Sequence, residues 1–366
     1  MIRVSTEISW VNKIMIDSII KEDLTRIIKA VGKHFEQLAG KTILITGANG
    51  FVPSYFADTV LALNETLLIK RPARLLLLTR RKVSPRDRLG HCLKNRYVKF
   101  ITQDVTKPLK LPSGIDFVIH AASKASPRDY TANPLDTIYA NILGTKSLLE
   151  YAAKNKVRGF LFVSTGETYG DPDQKHIPIT EDYLGNVNTL GPRAALQESK
   201  RMAETLCYYY NKIYDVPVKI ARLFHIYGPR LPLDDGRIIP EFMKRIFTGQ
   251  NLQIINAGTS IRTFAYVSDA IEGMWRILLI GKTGEAYNIG SDKEISILSL
   301  AKLFVKMSAK KTKVRRAYDK NIPHLKGTPQ KTTPSIKKIS KLGYKPKINL
   351  ETGLVRLKKW YESRTK

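Results

Sequence analysis

Two clusters of residues have the types and spacing to do chemistry. In the segment Lys41 to Glu65, KTILITGANGFVPSYFADTVLALNE, a glycine turn joins an apolar run to an apolar-periodic stretch. Gly47 allows the tight turn, and Gly50 lets the backbone approach a pyrophosphate whose charge then sits at a helix N-terminus. Asn49, Phe51 and Val52 complete the turn and are candidates to bind the same cofactor. The third glycine of this fingerprint is missing, and Pro53 stands in its place. Proline is tolerated in a first helical turn because its missing N–H would be unpaired there anyway. The second cluster closes the apolar strand in FLFVSTGETYGDP, with Thr165 and Glu167 at the carboxyl edge, where open α/β sheets bind ligands. Another strand ends in His120-Ala121-Ala122-Ser123, small residues against which a cofactor can lie. Further on, GPRAALQESKRMAETLCYYY reads as a helix with Lys200 on its inner face.

The elements that must position these groups alternate. Strands are expected at 42–46, 74–79, 98–101, 116–120, 159–164 and 217–222, and helices at 53–64, 133–155 and 193–214. Unalternated Val, Ile, Leu and Phe between helices imply a parallel sheet covered on both faces, hence an α/β chain. Residues 41–223 form the expected dinucleotide-binding unit. Past 223 the period breaks into shorter, Pro- and Gly-punctuated pieces, so 224–366 is expected to be a smaller unit, partly interleaved, that roofs the sheet's carboxyl edge. In residues 1–40, Ile14, Ile16, Ile19, Ile20, Leu24, Ile27, Ile28 and Val31 recur at helical spacing. A helix packed on the body or on a second subunit is favoured over a membrane-surface helix, since Asp17, Glu22 and Asp23 interrupt its basic face.

Composition narrows the function classes. The 366 residues contain no apolar run of 18, so no membrane span is expected. Met1 to Lys21 lacks the pattern of a secretory leader. Cys92 and Cys207 lie far apart without metal-ligand spacing, which predicts no metal site and a reducing, cytoplasmic setting. The net charge is +29, and residues 301–366 carry 20 Lys or Arg against three acids. No nucleic-acid module signature accompanies this charge, so a solvated basic face is favoured over a nucleic-acid surface.

Taken in order, the glycine turn, HAASKASP, STGETYGDP, GPRA-x-x-x-E-S-KRMAE, IARLFHIYGPR, DDGRIIPEF and IRTFAYVSDAIEG resemble the extended short-chain dehydrogenase/reductases. Within them the chain is most similar to the nucleotide-sugar epimerase/dehydratase group, and especially to UDP-glucuronate decarboxylases. The resemblance covers roughly residues 41 to 361. It implies a Rossmann doubly wound parallel sheet with a smaller C-terminal α/β substrate-binding domain. It also implies a tightly held nicotinamide cofactor, transient oxidation at the sugar C4, a nucleotide-sugar substrate, and a homodimer paired through helices matching 133–155 and 193–214.

That chemistry needs a phenolate to take the C4 hydroxyl proton and a lysine one helical turn later to lower the phenol's pKa and bond the nicotinamide ribose. A hydroxyl shares the proton. By resemblance Thr165 is the hydroxyl and Lys200 the lysine. The tyrosine position, four residues before Lys200, holds Leu196. Three readings stand. The chain is a weakened relative that keeps its cofactor and nucleotide pockets; another tyrosine, such as Tyr169, Tyr183 or Tyr130, reaches the sugar; or leucine is a variant position.

Other residues refine the substrate and cofactor. Glu167 follows Thr165 by two, as in the decarboxylases and 4,6-dehydratases, whereas Gly166 replaces the dehydratases' aspartate and argues against that reaction. Arg193 in GPRA, Arg262 and Arg237 are candidates to meet the substrate, the last two at the nucleotide diphosphate, where guanidinium geometry suits phosphate. His225 replaces the family's usual asparagine near the sugar or phosphate. Asp104 and Val105 match the pair that contacts adenine. At the end of the second strand NAD-binding members carry an acid for the ribose 2′-OH, but this chain has Thr79, Arg80 and Arg81. Arg80 therefore favours NADP over NAD, although the family leans to NAD. The plain alternative is that the arginines stack on adenine or face solvent.

Overall fold

Unbroken runs of Leu, Ile, Val and Phe build the central sheet of this computed structural model, which describes residues 17–255, 257–317 and 328–364. Its strands are β1 (Thr42–Thr46), β2 (Arg74–Thr79), β3 (Val98–Thr102), β4 (Phe117–His120), β5 (Gly159–Thr165), β6 (Val218–Leu223) and, much later in the chain, β11 (Ala286–Ile289). All pair in parallel, in the order β3-β2-β1-β4-β5-β6-β11. The order reverses between β1 and β4, which opens a crevice at their carboxyl ends. Thr46 sits there between Leu78 and His120 in register.

Side chains alternate between two packed layers. Ile43, Ile45, Leu75, Leu77, Ile119 and Leu161 face a core shared with α1 (Ser18–Val31), α2 (Phe51–Asn64) and α7 (Val267–Ile280). Leu44, Leu76, Leu78, Val118, Phe160 and Phe162 face the other core, closed by α4 (Pro134–Asn155) and α5 (Ala194–Tyr214). A short α3 (Pro127–Ala132) precedes α4. The strands and long helices thus fall within a residue or two of their expected positions.

Residues beyond β6 form smaller pieces above the crevice: β7 (Ile226–Tyr227) with β10 (Ala265–Tyr266), β8 (Leu252–Ile255) with β13 (Val314–Ala317), and β9 (Ile261–Thr263) between β12 (Glu294–Ser296) and β14 (Lys331–Thr332). Helices α6 (Ile238–Thr248), α8 (Ile297–Met307), α9 (Lys337–Ser340) and α10 (Leu350–Glu362) accompany them. Because β11 joins the main sheet, the stretch after 223 contributes to both parts.

Helix α1 spends its apolar stripe on the body of the protein: Ile20, Leu24, Ile27 and Val31 are buried against α2 and α7. Asp23 anchors it, accepting from Tyr266 at 3.0 Å and from Arg356 of α10 at 2.8 Å. This excludes the membrane-surface alternative for α1. Ile14 and Ile16 lie outside the described residues. Among the described residues no helix is long and apolar enough to cross a membrane.

Candidate active site

The glycine turn is built for a close neighbour. Gly47 has φ +63°, and a Cβ there would lie 2.8 Å from the Ala122 Cα. Gly50 caps α2 without a side-chain bond, so the N–H groups of Phe51 and Val52 open the helix with nothing from a capping side chain. Free helix N-termini favour anions. Pro53 is the third residue of α2 and is tolerated there, as expected. The backbone N–H groups of Ala121 and Ala122 both donate to Thr46 Oγ1 at 3.2 Å, which fixes the second wall of the crevice. The Ser123 hydroxyl is buried beside it with no hydrogen-bond partner among the described residues. A pinched glycine turn, an open helix start and an orphaned hydroxyl at the switch point of the sheet fit a dinucleotide.

Asn49 holds the turn to the loop after β2. Its side chain accepts from Leu89 N at 3.3 Å, and its carbonyl accepts from Arg88 at 3.2 Å. Asp104, at the end of β3, accepts from the backbone and hydroxyl of Thr106 at 2.9 Å each. Those bonds, with the charge of Arg80, hold its carboxyl below the usual range. Val105 is buried beneath α4 against Gly144.

At the end of β5, Thr165 caps a single 3₁₀ turn, its hydroxyl accepting from Glu167 N at 3.2 Å. Glu167 is gripped by Arg193, through Nε at 3.0 Å and again through a second guanidinium nitrogen, and by Gln197 at 3.3 Å. Burial pushes the Glu167 carboxyl up, but the Arg193 guanidinium outweighs it and holds the group below its ordinary value. Glu167 is therefore an anion with side-chain partners.

Around this pair stand His225, Arg237, Arg262 and Tyr130, close enough that neighbouring charges of the cluster act on the ionisation of Tyr130, His225 and Arg262. His225 has a left-handed backbone (φ +43°) and a buried Nδ1 without a partner among the described residues. Burial and the Arg262 charge push its pKa down to about 3, so the ring is neutral. Arg262 is buried and, among the described residues, donates to the carbonyls of Ile261, Gln330 and Pro329 and to no carboxylate. Burial lowers its pKa to about 10. Arg237 pairs with Asp235 at 3.3 Å and donates to the Ala125 carbonyl.

Lys200 is 3% exposed and faces the sheet. Its ammonium donates to the Val163 carbonyl at 2.7 Å and lies 4.5 Å from the Phe162 ring centroid. Burial lowers its pKa to about 8. Leu196, one turn earlier, is also 3% exposed. His120 bonds Thr46 and Thr145 through its two ring nitrogens at 2.8 and 3.0 Å, a structural role.

The three alternative tyrosines separate cleanly. The Tyr169 hydroxyl is spent on Arg222 (2.7 Å) and Asn288 (2.8 Å), and Tyr183 stacks on His176, 4.5 Å between ring centroids. Tyr130 alone of the three sits in the crevice with a buried hydroxyl that has no partner among the described residues. Gln197 and Asp235 were not singled out from sequence. Gln197 lies one turn after Arg193, a spacing that puts both on one helix face, and that was the available signal.

Comparison with known proteins agrees with this geometry. Residues 43–290 match the model of the NAD-dependent epimerase/dehydratase family. UDP-glucuronic acid decarboxylase 1 of Danio rerio is 35% identical over 323 residues, 88% of this chain and 73% of that protein. UDP-glucuronic acid decarboxylase 2 of Arabidopsis thaliana is 35% identical over 331 residues, 89% of this chain and 69% of its own. Among solved structures, the dTDP-glucose 4,6-dehydratase of Streptomyces venezuelae with NAD bound superposes with a TM-score of 0.76 at 25% identity, covering 88% of this chain and 97% of that one. The UDP-glucuronic acid 4-epimerase of Bacillus cereus, in complex with UDP-glucuronic acid and NAD, gives 0.72 at 27%, covering 88% and 99%. The turn, the crevice and these likenesses agree: the chain belongs to the NAD-dependent epimerase/dehydratase family.

Proposed function

We propose that this chain acts on a UDP-sugar, UDP-glucuronate foremost, through a sugar oxidised at C4, in a crevice where Leu196 stands in the acid–base position. The observation that carries the reading is the convergence of Thr165, the Glu167–Arg193 pair and a buried Arg262 whose donors, among the described residues, meet carbonyls and no carboxylate. A buried guanidinium without a carboxylate partner suits a diphosphate. When bound, the nicotinamide cofactor would take hydride from the sugar C4 and return it, while the C4 hydroxyl proton would pass to water, since Leu196 cannot accept it. Gly47, Asn49, Gly50, Phe51, Val52, Ala121, Ala122 and Ser123 would line its place.

The chain's own residues then have distinct tasks. The Thr165 hydroxyl accepts from Glu167 N and so keeps its hydrogen for a sugar oxygen. Glu167, already ionised and clamped, has no proton to give and serves as a fixed acceptor for sugar hydroxyls. Once the sugar carries a C4 ketone, a C5 carboxylate is a β-keto acid and loses CO₂ largely unaided. Expulsion of water from C6 would need an acid at position 166. A Cβ there would meet the Phe224 ring at 2.7 Å, so the site has neither that acid nor space for it.

A second reading, binding without turnover, is favoured by one specific arrangement: leucine fills the base position while Lys200 bonds Val163. Adding UDP-glucuronate to the cofactor-loaded protein separates the two. Absorbance at 340 nm with CO₂ release supports catalysis; tight UDP binding without either supports the second reading. We also assign the exposed Leu135, Tyr139 and Leu143 of α4 and Met202, Tyr209 and Ile213 of α5 to a homodimer surface. The two free, buried thiols, Cys92 and Cys207, suit a reducing, cytoplasmic setting.

A further inference from the structure

We propose that the adenosine end of the crevice takes a 2′-phosphate, read by Arg80, so that the dinucleotide this chain selects is NADP(H). This rests on the reading that the crevice holds a dinucleotide at all.

The position that would carry a ribose-binding carboxylate, the last residue of β2, is Thr79. It is 4% exposed, and its hydroxyl is spent, donating to the Arg81 carbonyl at 2.9 Å. That bond folds the chain back just past the strand. Arg80 is thus the first outward side chain at the carboxyl edge, and Gln103 N bonds the Thr79 carbonyl beside it.

The loop that follows uses up its own carboxylate. Asp87 receives two bonds from the Arg81 fork, at 2.8 and 2.5 Å, and two more from the Ser84 backbone and hydroxyl, at 2.7 and 3.0 Å. Four donors leave Asp87 little capacity for a ribose hydroxyl, and they commit Arg81 as well. Arg88 is committed too, to the carbonyls of Asn49 and Arg230. Among the described residues Arg80 has no ion-pair partner and is exposed. Asp104 feels its charge without forming an ion pair, and one Asp104 oxygen is already held by Thr106.

Residues 80–88 hold five cations against one acid. A neutral 2′-hydroxyl would meet no free carboxylate in this loop, whereas a phosphate would meet an uncommitted guanidinium within a positive field. The loop is tied to the glycine turn through Asn49 and Leu89, and Ala48 N bonds the Leu78 carbonyl, so the end of β2 that carries Arg80 lies next to the turn, where the adenosine half of a dinucleotide lies.

Calorimetric titration of the full chain tests this with two matched pairs: NADP⁺ against NAD⁺, and adenosine 2′,5′-bisphosphate against 5′-AMP. The phosphorylated member of each pair should bind at least about tenfold more tightly. A charge-assisted hydrogen bond predicts that R80A weakens the phosphorylated ligands by about 10- to 100-fold and changes the others by less than about twofold. Equal or tighter binding of NAD⁺ by the wild type, or an equal loss of both members in R80A, would overturn the assignment. Failure of all four ligands to bind would remove the dinucleotide reading on which it rests.

Discussion

Leu196→Tyr would place a phenol at the position our reading gives to the acid–base group, and its effect can be sized. Leu196 shares its buried face of α5 with Lys200, Ala203, Glu204 and Cys207. A tyrosine at that position projects along the same face, one turn from the lysine. Two effects oppose each other. Crowding a packed position costs about 1–3 kcal/mol of stability. A positioned acid–base group is worth about 10²–10⁴-fold in rate, or about 3–5 kcal/mol of barrier. The stability loss is affordable for a domain that is stable by about 5–15 kcal/mol. Lys200, with a pKa near 8, is mostly protonated at pH 7 and supplies the cation that makes a phenolate accessible. The assay is turnover on UDP-glucuronate and a panel of UDP- and dTDP-sugars, read at 340 nm and by CO₂ release. Circular dichroism and dinucleotide titration would confirm a folded, loaded variant. Such a variant with no gain on any sugar would refute the argument that only the base is missing.

Glu167→Gln should cost about 1–3 kcal/mol at pH 7 by leaving the Arg193 fork half satisfied. Because the folded carboxyl lies below its ordinary value, its contribution is present above the unfolded pKa of about 4.3 and fades as pH falls through the lower folded value. Urea unfolding from pH 7 to 3 checks this; a wild-type advantage that stays constant on acidification contradicts it. Lys200→Met should alter the alkaline profile. A lysine whose pKa is lowered on folding makes stability rise with pH, since the unfolded chain binds more protons. Wild type should therefore gain on the methionine variant between pH 8 and about 10.4, and parallel urea curves across that window would count against it. Tyr209→Glu sets a charge among the exposed apolar side chains of α4 and α5. Light scattering should then report a monomer where the parent chain is a dimer, and a monomeric parent would end that assignment.

The scaffold was legible because its signals are local. Five-residue apolar runs such as Thr42–Thr46 and the long periods of α4 and α5 locate themselves. So did Thr165, Glu167 and Lys200, which lie at strand ends or on a helix face. What stayed hidden depends on contacts far apart in sequence. Strand β11, AYNI, is too short to show a period, and only its pairing with Ile220 to Leu223 identifies it. The bond of Asn49 to Leu89 and the approach of Tyr130 to Arg193 and Arg237 likewise join distant segments. The commitment of Tyr169 to Arg222 and Asn288 could not be seen from its motif, which places it at the same edge as Thr165.

The late arrival of β11 constrains how this chain can be assembled and dissected. Until residues 286–289 have been made, β6 is a bare edge, offering a row of unpaired N–H and C=O groups to any strand nearby. Long-range parallel pairing of this kind closes slowly. A fragment ending at Leu223 would carry every strand needed for the crevice yet display that sticky border. It is expected to self-associate, and residues 286–289 supplied in trans as part of a complementing piece should restore it to a discrete particle.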